Sequence, residues 1–524
     1  MDALARQTAA PIEIELKLHA DPDVLSRLRR SRVIKRLTQG APDTSQLLTT
    51  YYDTPDFALR RAGVSLRVRR EEGRLTQTVK RSAGPASGKL KRFEFETELD
   101  DKTPWPAPAP DPEAQRLIGE AVISGRLKPV FRTDVRRITR QIVTEAGDEV
   151  ELAVDAGEFR CGETDRPLGP IAEIELELVK GDPASLYRIA EPLAEAYRVR
   201  LGVEAKADRG YRLLEGRAPA AVKAKRPKLS PDMAAEDAFA AFLESASAQL
   251  LANVDVVLDA SAPEGVHQMR VALRRLRAAG ALYRGAVDMK QMRPVYAEAR
   301  RLARVLGRAR DLDVFTVETL EPMRAAKADE PMLEELASRA AAARRKAWRE
   351  AREAVGGREF TQFALSLSRT IDERGWRSQR AKKSKALNAP APAFAKRALG
   401  KRWRLAMARG ADLDALSLPQ RHELRIELKK LRYASDFFAS LFPKEPTALF
   451  RRRLSGLQDD LGAINDARVA AELAGELAHR GDDAQLVRAA GFITGWRAQM
   501  ASLRWEDTKT RWAEFIDTPA FWAE

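Results

Sequence analysis

The sequence predicts an α+β chain of more than one domain, with an antiparallel β half first and an all-α half second. Three observations carry this. Apolar and charged residues alternate strictly in several short runs before residue 180, an Ala-, Lys- and Pro-rich stretch occupies 215–231, and the second half repeats itself at an offset of 155 residues.

The first run is Ile12-Glu13-Ile14-Glu15-Leu16-Lys17-Leu18. With a two-residue side-chain period, Glu13, Glu15 and Lys17 share one face of a strand and the aliphatics share the other. Carboxylates stacked about 6 to 7 Å apart repel unless a cation lies between them or water screens them. Four further runs follow. Arg67 and Arg69 alternate with Leu66 and Val68; Thr76, Thr78 and Lys80 with Leu75, Gln77 and Val79; Arg92, Glu94, Glu96 and Glu98 with Phe93 and Phe95; Glu173, Glu175 and Glu177 with Ile174, Leu176 and Leu178. Asp155, in the segment 152–157, reads as a strand running into a turn.

A sheet whose charged face looks at water explains any one of these strands. It explains the set less well, because carboxylates pair on two strands while guanidinium groups pair on a third. If the sheet closes, those faces line a channel, with acidic sectors suited to metal ions and basic sectors suited to anions.

Composition sets the frame. A chain of 524 residues corresponds to about two to four domains. The single cysteine, Cys161, excludes an internal disulfide and fits a reducing compartment. The segment 1–6 lacks the apolar core of a secretion signal and no stretch approaches a membrane span, so a cytoplasmic protein without a membrane partner is expected.

The 215–231 stretch reads as a linker, dividing the chain into 1–214, 215–231 and 232–524. Beyond it the sequence is rich in Ala, Leu and Arg with helical periodicity, and Ser230 or Asp232 is a candidate cap for the first helix. The segment 267–277 aligns with 422–432, and the same offset pairs Leu306-Gly307 with Leu461-Gly462, Asp311 with Asp466 and Val314 with Val469. On a helix, His267, Arg270, Arg274 and Arg277 form one stripe of about 15 Å. The repeat builds the same stripe from His422, Arg425, Lys429 and Arg432, and Arg275 and Lys430 broaden each. A basic helix face is ordinarily just solvated, but here two of only four histidines fall at equivalent positions.

The net charge is +15 and the pI near 9.8; residues 231–524 hold 50 Lys/Arg against 40 Asp/Glu, so the helical half carries most of the excess. Between Glu373 and Asp412 stand twelve basic residues and no carboxylate, either a solvated loop or a collector of long polyanions. Nucleic acid competes as a partner for any basic protein. The stripes lack interleaved aromatics and no nucleic-acid motif is present, which argues against it.

The first half resembles the CYTH domains of the triphosphate tunnel metalloenzymes. The resemblance rests on Glu13-x-Glu15-x-Lys17, Tyr52-Asp53-Thr54, the Ser65 to Arg69 stretch, Thr78-x-Lys80 and Lys206-Ala207-Asp208-Arg209-Gly210-Tyr211, in family order over residues 8–214. It implies an antiparallel eight-stranded β-barrel tunnel with flanking helices that cleaves a triphosphate with Mg²⁺ or Mn²⁺. By position, Glu13, Glu15, Glu173 and Glu175 are the implied metal ligands. Glu13, Glu15 and Lys17 are the implied catalytic set, and Lys17, Arg67, Arg69, Lys80, Arg92, Arg132 and Lys206 the implied triphosphate ligands. Glu94, Glu96 and Asp155 fit supporting roles equally well. Ala205 stands where the family often has a small hydroxyl residue.

The second half resembles the CHAD domain, over residues 232–515, through the His267 and His422 helices, Arg310-Asp311-Leu312-Asp313 and the segment 458–466. This implies two pseudo-symmetric helical bundles facing a basic groove that binds inorganic polyphosphate through His267, Arg270, Arg274, Arg277, His422, Arg425, Lys429 and Arg432. Asp311 and Asp466 are expected to orient helices or form salt bridges. The joint expectation is an inorganic triphosphatase acting on tripolyphosphate, with a long-chain polyphosphate-binding half and an association with polyphosphate granules. The alternatives are a non-catalytic polyphosphate-binding protein, or an enzyme acting on thiamine triphosphate or ATP.

Overall fold

The computed structural model describes residues 12–523 apart from 29–30, 87–88, 106–111, 260–261, 327–329 and 480–483. The chain packs as two compact units. The first holds Met1–Ala221 together with Val254–Ala260 and Gly356–Glu373, so two segments from the helical half belong to it.

In the first unit nine antiparallel strands form one sheet: β1 (Ile12–Ala20), β2 (Gln39–Asp53), β3 (Val64–Glu71), β4 (Arg74–Ala86), β5 (Lys89–Leu99), β6 (Lys128–Val143), β7 (Glu149–Cys161), β8 (Pro167–Lys180) and β9 (Val199–Gly202). Their order is β5-β4-β3-β2-β6-β7-β8-β1-β9, and β1 also pairs with β5 through Ile12 to Glu15. The expected closed eight-stranded barrel is thus replaced by a nine-stranded sheet. Its additional strand, β9, joins β1 at Lys17 to Ala20 and is only four residues long, too short to register as a periodic pattern.

The sheet's apolar face is covered by helices. Leu59, Val64, Leu66 and Val79 pack with Ala114 and Ile118 of the Pro112–Ile123 helix, and the Ser185–Ala196 helix buries Leu186, Tyr187, Ile189 and Leu193 on β1 and β8. The charged face is therefore the enclosed one. Lys17 and Glu173 are each 1% exposed and Asp155 is fully buried, which rules out the solvent-facing reading of that face. Below the charges, Tyr51 stacks on Phe131 at 4.4 Å and Tyr211 meets Phe131 edge-on at 5.2 Å. The Arg358–Asp372 helix attaches at β9, where Thr361 Oγ1 donates to the Val199 carbonyl at 2.7 Å, and Arg369 pairs with Glu191 at 2.9 Å.

The second unit holds Val222–Asn253, Ser261–Val355 and Arg374–Glu524 and is built of helices, among them Ala235–Leu251, Pro263–Leu282, Arg293–Val314, Leu418–Phe438 and Lys444–Ala478. The repeat aligns Pro263–Leu282 with Leu418–Phe438, whose start is fixed by a Ser417/Gln420 capping box. The copies diverge afterwards. Arg293–Val314 passes into a π-helical turn, Phe315–Leu320, whereas Lys444–Ala478 continues as α-helix. Neither Ser230 nor Asp232 caps Ala235–Leu251; Ala234 holds the cap position, and Glu236 and Asp237 favour the helix start from its first turn.

Two further expectations change. The stretch Ala235–Asp259 is long and apolar enough to cross a bilayer, but 61% of that window is buried, with Phe239, Phe242 and Leu243 in the core. The carboxylate-free run contains two helices, Ala381–Leu387 and Ala391–Arg409, in place of a loop.

Candidate functional site

The charged face of the first unit lines a cavity of about 900 Å³. Strand register explains its lining. Lys17 lies opposite Glu175, Arg67 opposite Thr78, Lys80 opposite Glu94 and Arg137 opposite Asp155. Directly opposed residues share a face, so each alternating run delivers its polar set to the same space.

One sector is charge-matched. Lys17 lies 2.9 Å from Glu175 and 3.6 Å from Glu173, while Lys206 lies 2.6 Å from Asp155, 2.6 Å from Glu173 and 2.9 Å from Glu175. Arg137 donates Nε to Asp155 at 2.8 Å and a terminal nitrogen at 2.7 Å, and also pairs with Glu175. Burial works to raise Glu173, but Lys17 and Lys206 outweigh it and hold the carboxyl at about 2. Burial likewise opposes the Lys17 ammonium, which Glu173, Glu175 and Glu15 keep above its ordinary value.

A second sector has surplus positive charge. Lys80 bridges Glu13 at 2.8 Å and Glu94 at 2.6 Å, and Arg67 reaches Glu94 at 3.5 Å. Among the described residues, the buried Nε atoms of Arg67 and Arg69 have no hydrogen-bond partner. Arg67, then burial and Arg137, push Arg69 down to about 10. Guanidinium groups so placed are ready for an anion.

A third sector has surplus negative charge. Glu15, Glu177 and Glu151 lie directly opposite one another across β1, β8 and β7. Burial, then Glu13, Glu151 and Glu15, raise the Glu177 carboxyl to about 7. Directly opposed carboxylates form a donor set whose repulsion a divalent cation would relieve, and oxygen-only donors suit hard ions such as Mg²⁺ or Mn²⁺. Nearby, Asp155, Glu173 and Glu175 bring carboxylate oxygens within 4.8 Å of one another. The residues present therefore fit a divalent metal.

Of the expected residues, Glu13, Glu15, Lys17, Arg67, Arg69, Lys80, Glu175 and Lys206 line the cavity, and Glu173 joins them through Lys17 and Lys206. Arg132 does not. It stands on the opposite face of β6 and lines a separate cleft of about 380 Å³ with Arg70 and Arg160. The cavity arginine of β6 is Arg137, which sequence reasoning missed; the parity Phe131, Thr133, Val135, Arg137 marks that face. The side chain of Arg92 lies outside the described residues. Trp105, 64% exposed, is held by its backbone on Gln77 and lies apart from the cavity.

In the second unit the helices Pro263–Leu282 and Leu418–Phe438 bring the two basic stripes together. Burial, then Arg425 and Arg274, lower Lys429 to about 8, and Arg270 adds to the effect. Arg270 pairs with Asp311 at 3.4 Å, and the equivalent Asp466 acts on Arg425 through its charge. The buried Nε of Arg274 has no hydrogen-bond partner among the described residues. His267 is half-buried beside Arg310, whereas His422 and Arg277 are exposed and Arg432 is tied to Gln458 at 3.1 Å. Arg275 does not broaden its stripe; it is buried and donates to Gln249 and Ser245.

Comparison with known proteins finds two families along the chain. The CYTH domain model matches residues 11–211 and the CHAD domain model matches 241–475. The chain is 33% identical over 202 residues to an inorganic triphosphatase of Haemophilus influenzae, covering 38% of this chain and 54% of that protein. It is 28% identical over 331 residues to an uncharacterized protein of Mycobacterium tuberculosis, covering 60% of each. The chain thus spans little more than half the length of these curated relatives. Among solved structures, the CHAD domain from the plant Ricinus communis is similar with a TM-score of 0.50 and 26% identity, covering 57% of this chain and 98% of that one.

Proposed function

Because the chain is a CYTH domain followed by a CHAD domain, we propose that the first unit is a divalent-metal-dependent inorganic triphosphatase, cleaving tripolyphosphate to pyrophosphate and phosphate. The second unit binds long-chain polyphosphate. The observation that carries the reading is the pair of buried, unpartnered Nε–H groups on Arg67 and Arg69 facing carboxylates across one cavity. Capture of a linear polyanion beside a cation site is the chemistry this arrangement suits. The similarity to an inorganic triphosphatase supports it.

In this account the enclosed charged face of the sheet forms the substrate cavity. Arg67, Arg69 and Arg137 grip phosphate oxygens through their planar forks, and Lys17, Lys80 and Lys206 supply mobile point charges. Glu13, Glu15, Glu173 and Glu175, with Glu177, would hold Mg²⁺ or Mn²⁺, which would supply charge neutralisation to phosphate oxygens and make water more acidic. A carboxylate of the Glu13, Glu15 and Glu177 group orients the attacking water and takes its proton as the terminal P–O bond breaks. In the helical unit, Arg270, Arg274, Arg425 and Lys429 form the centre of the polyphosphate groove, with His267, Arg277, His422 and Arg432 at its margins. A cytoplasmic location beside polyphosphate granules belongs to the same proposal.

The test is phosphate release from tripolyphosphate, ATP and thiamine triphosphate with Mg²⁺, Mn²⁺ or EDTA. Metal-dependent release confined to tripolyphosphate is expected. Faster release from ATP or thiamine triphosphate would reassign the substrate, and no release from any would leave a binding protein.

A further inference from the structure

The carboxylate-free run contributes a feature that neither the cavity nor the groove uses. Along the Ala391–Arg409 helix, Arg397, Lys401 and Arg404 follow i, i+4, i+7 spacing and are all exposed. At 100° per residue they fall within about 60° of one another. That stripe lies opposite Ala395, Leu399 and Ala406, which the same helix buries. On its flank, Arg402 and Arg409 pair with Glu427 and Glu423 of the Leu418–Phe438 helix, so those two cations are consumed in packing.

Arg397, Lys401 and Arg404, with Lys382 and Lys385 on the preceding Ala381–Leu387 helix, form no ion pair among the described residues. Some other arginines of the second unit do meet a carboxylate, as in Arg324–Glu334 and Arg468–Glu472. These five exposed cations without an ion pair stand within 38 residues that contain no carboxylate, and a polyanion laid along them would relieve their mutual repulsion. The run includes Trp376 and Trp403, but Trp376 is fully buried and Trp403 packs against Phe450, Phe515 and Trp522, so no aromatic is left on the ridge for base stacking.

We propose that the ridge formed by Lys382, Lys385, Arg397, Lys401 and Arg404 is a second, outer track for inorganic polyphosphate, engaged by chains long enough to leave the central groove. This rests on the groove being a polyphosphate site. Short chains fill the groove alone, and long chains gain the additional contacts, releasing counterions from each.

The experiment measures binding of short-chain and long-chain polyphosphate to the full chain and to R397E/K401E/R404E, across a salt series. Unfolding temperature serves as the fold control. For the variant, long-chain affinity is expected to fall roughly 10-fold or more and the slope of log affinity against log salt to lessen by about 3, with short-chain affinity unchanged. Unchanged long-chain affinity and slope in a folded variant would overturn the ridge and leave the groove standing. An R270E/R425E variant that still bound short chains at full strength would overturn the groove reading, and with it the two-track account. Loss of duplex DNA or anionic-vesicle binding, with long-chain polyphosphate binding intact, would overturn polyphosphate as the occupant.

Discussion

Arg137 on β6 and Asp155 on β7 lie directly opposite each other and share two hydrogen bonds, from Nε at 2.8 Å and from a terminal nitrogen at 2.7 Å. Arg137 also reaches Glu175, and Lys206 reaches Asp155, so this pair joins a buried network in which three cations answer three carboxylates. Buried ions held this way are costly to separate.

Removing one partner leaves a buried charge unanswered. Arg137→Leu should destabilise the protein by about 3–5 kcal/mol, read as a lowered unfolding temperature. Arg132→Leu, five residues away on the other face, should change stability by no more than about 0.5 kcal/mol and leave tripolyphosphate KM unaltered. Equal effects of the two would mean the face assignment of β6 is wrong.

Arg69 is surrounded by like charge. Arg69→Met should raise tripolyphosphate KM about 10- to 100-fold through loss of charge-assisted hydrogen bonds. Unfolding temperature should hold or rise, because Arg67 is the largest influence on Arg69 and is repulsive. A variant with unchanged KM would remove Arg69 from the anion site.

Glu177, raised to about 7 from an ordinary value of 4.5, predicts a pH effect of defined sign. The ligand-free fold favours the protonated carboxyl, so this contribution is fully present below pH 4.5 and is lost as pH rises through 7. Mg²⁺ should therefore raise the unfolding temperature more at pH 8 than at pH 6, and Glu177→Gln should flatten that difference. Equal stabilisation at both pH values in the unaltered protein would place the metal elsewhere.

The alternating runs were legible because strand periodicity and charge coincide: Glu13, Glu15, Lys17, Arg67, Arg69 and Lys80 all reach one cavity. Arg132 was misplaced because β6 carries arginines on both faces, Arg132 and Arg136 on one and Arg137 on the other, so charge alone does not mark the inner face. β9 was missed for its length, and the attachment of the Arg358–Asp372 helix to the first unit because tertiary docking leaves no local signal. In the helical half the repeat identified Arg270, Arg274, Arg425 and Lys429, but helical spacing could not tell the groove-facing Arg274 from its buried neighbour Arg275.

Lys429 supplies the matching prediction for the second unit. Lowered to about 8 from 10.5, the amine is favoured neutral in the ligand-free fold; that contribution is present above pH 10.5 and lost as pH falls through 8. A bound polyanion favours the ammonium, so polyphosphate binding near pH 8 should take up protons and weaken as pH rises from 7 to 9. Calorimetry in buffers of different ionisation enthalpy measures the uptake, and Lys429→Arg should abolish it. Binding without proton uptake would place Lys429 outside the polyphosphate contact.

The central claim is that the enclosed carboxylates of β1 serve a metal-dependent triphosphatase. The most direct test compares tripolyphosphate hydrolysis by the unaltered chain and by Glu13→Ala/Glu15→Ala, each with Mg²⁺ or Mn²⁺, after unfolding measurements establish that both are folded. Loss of turnover by about 100-fold or more in a folded double variant is the predicted result. Full metal-dependent turnover in that variant would contradict the account.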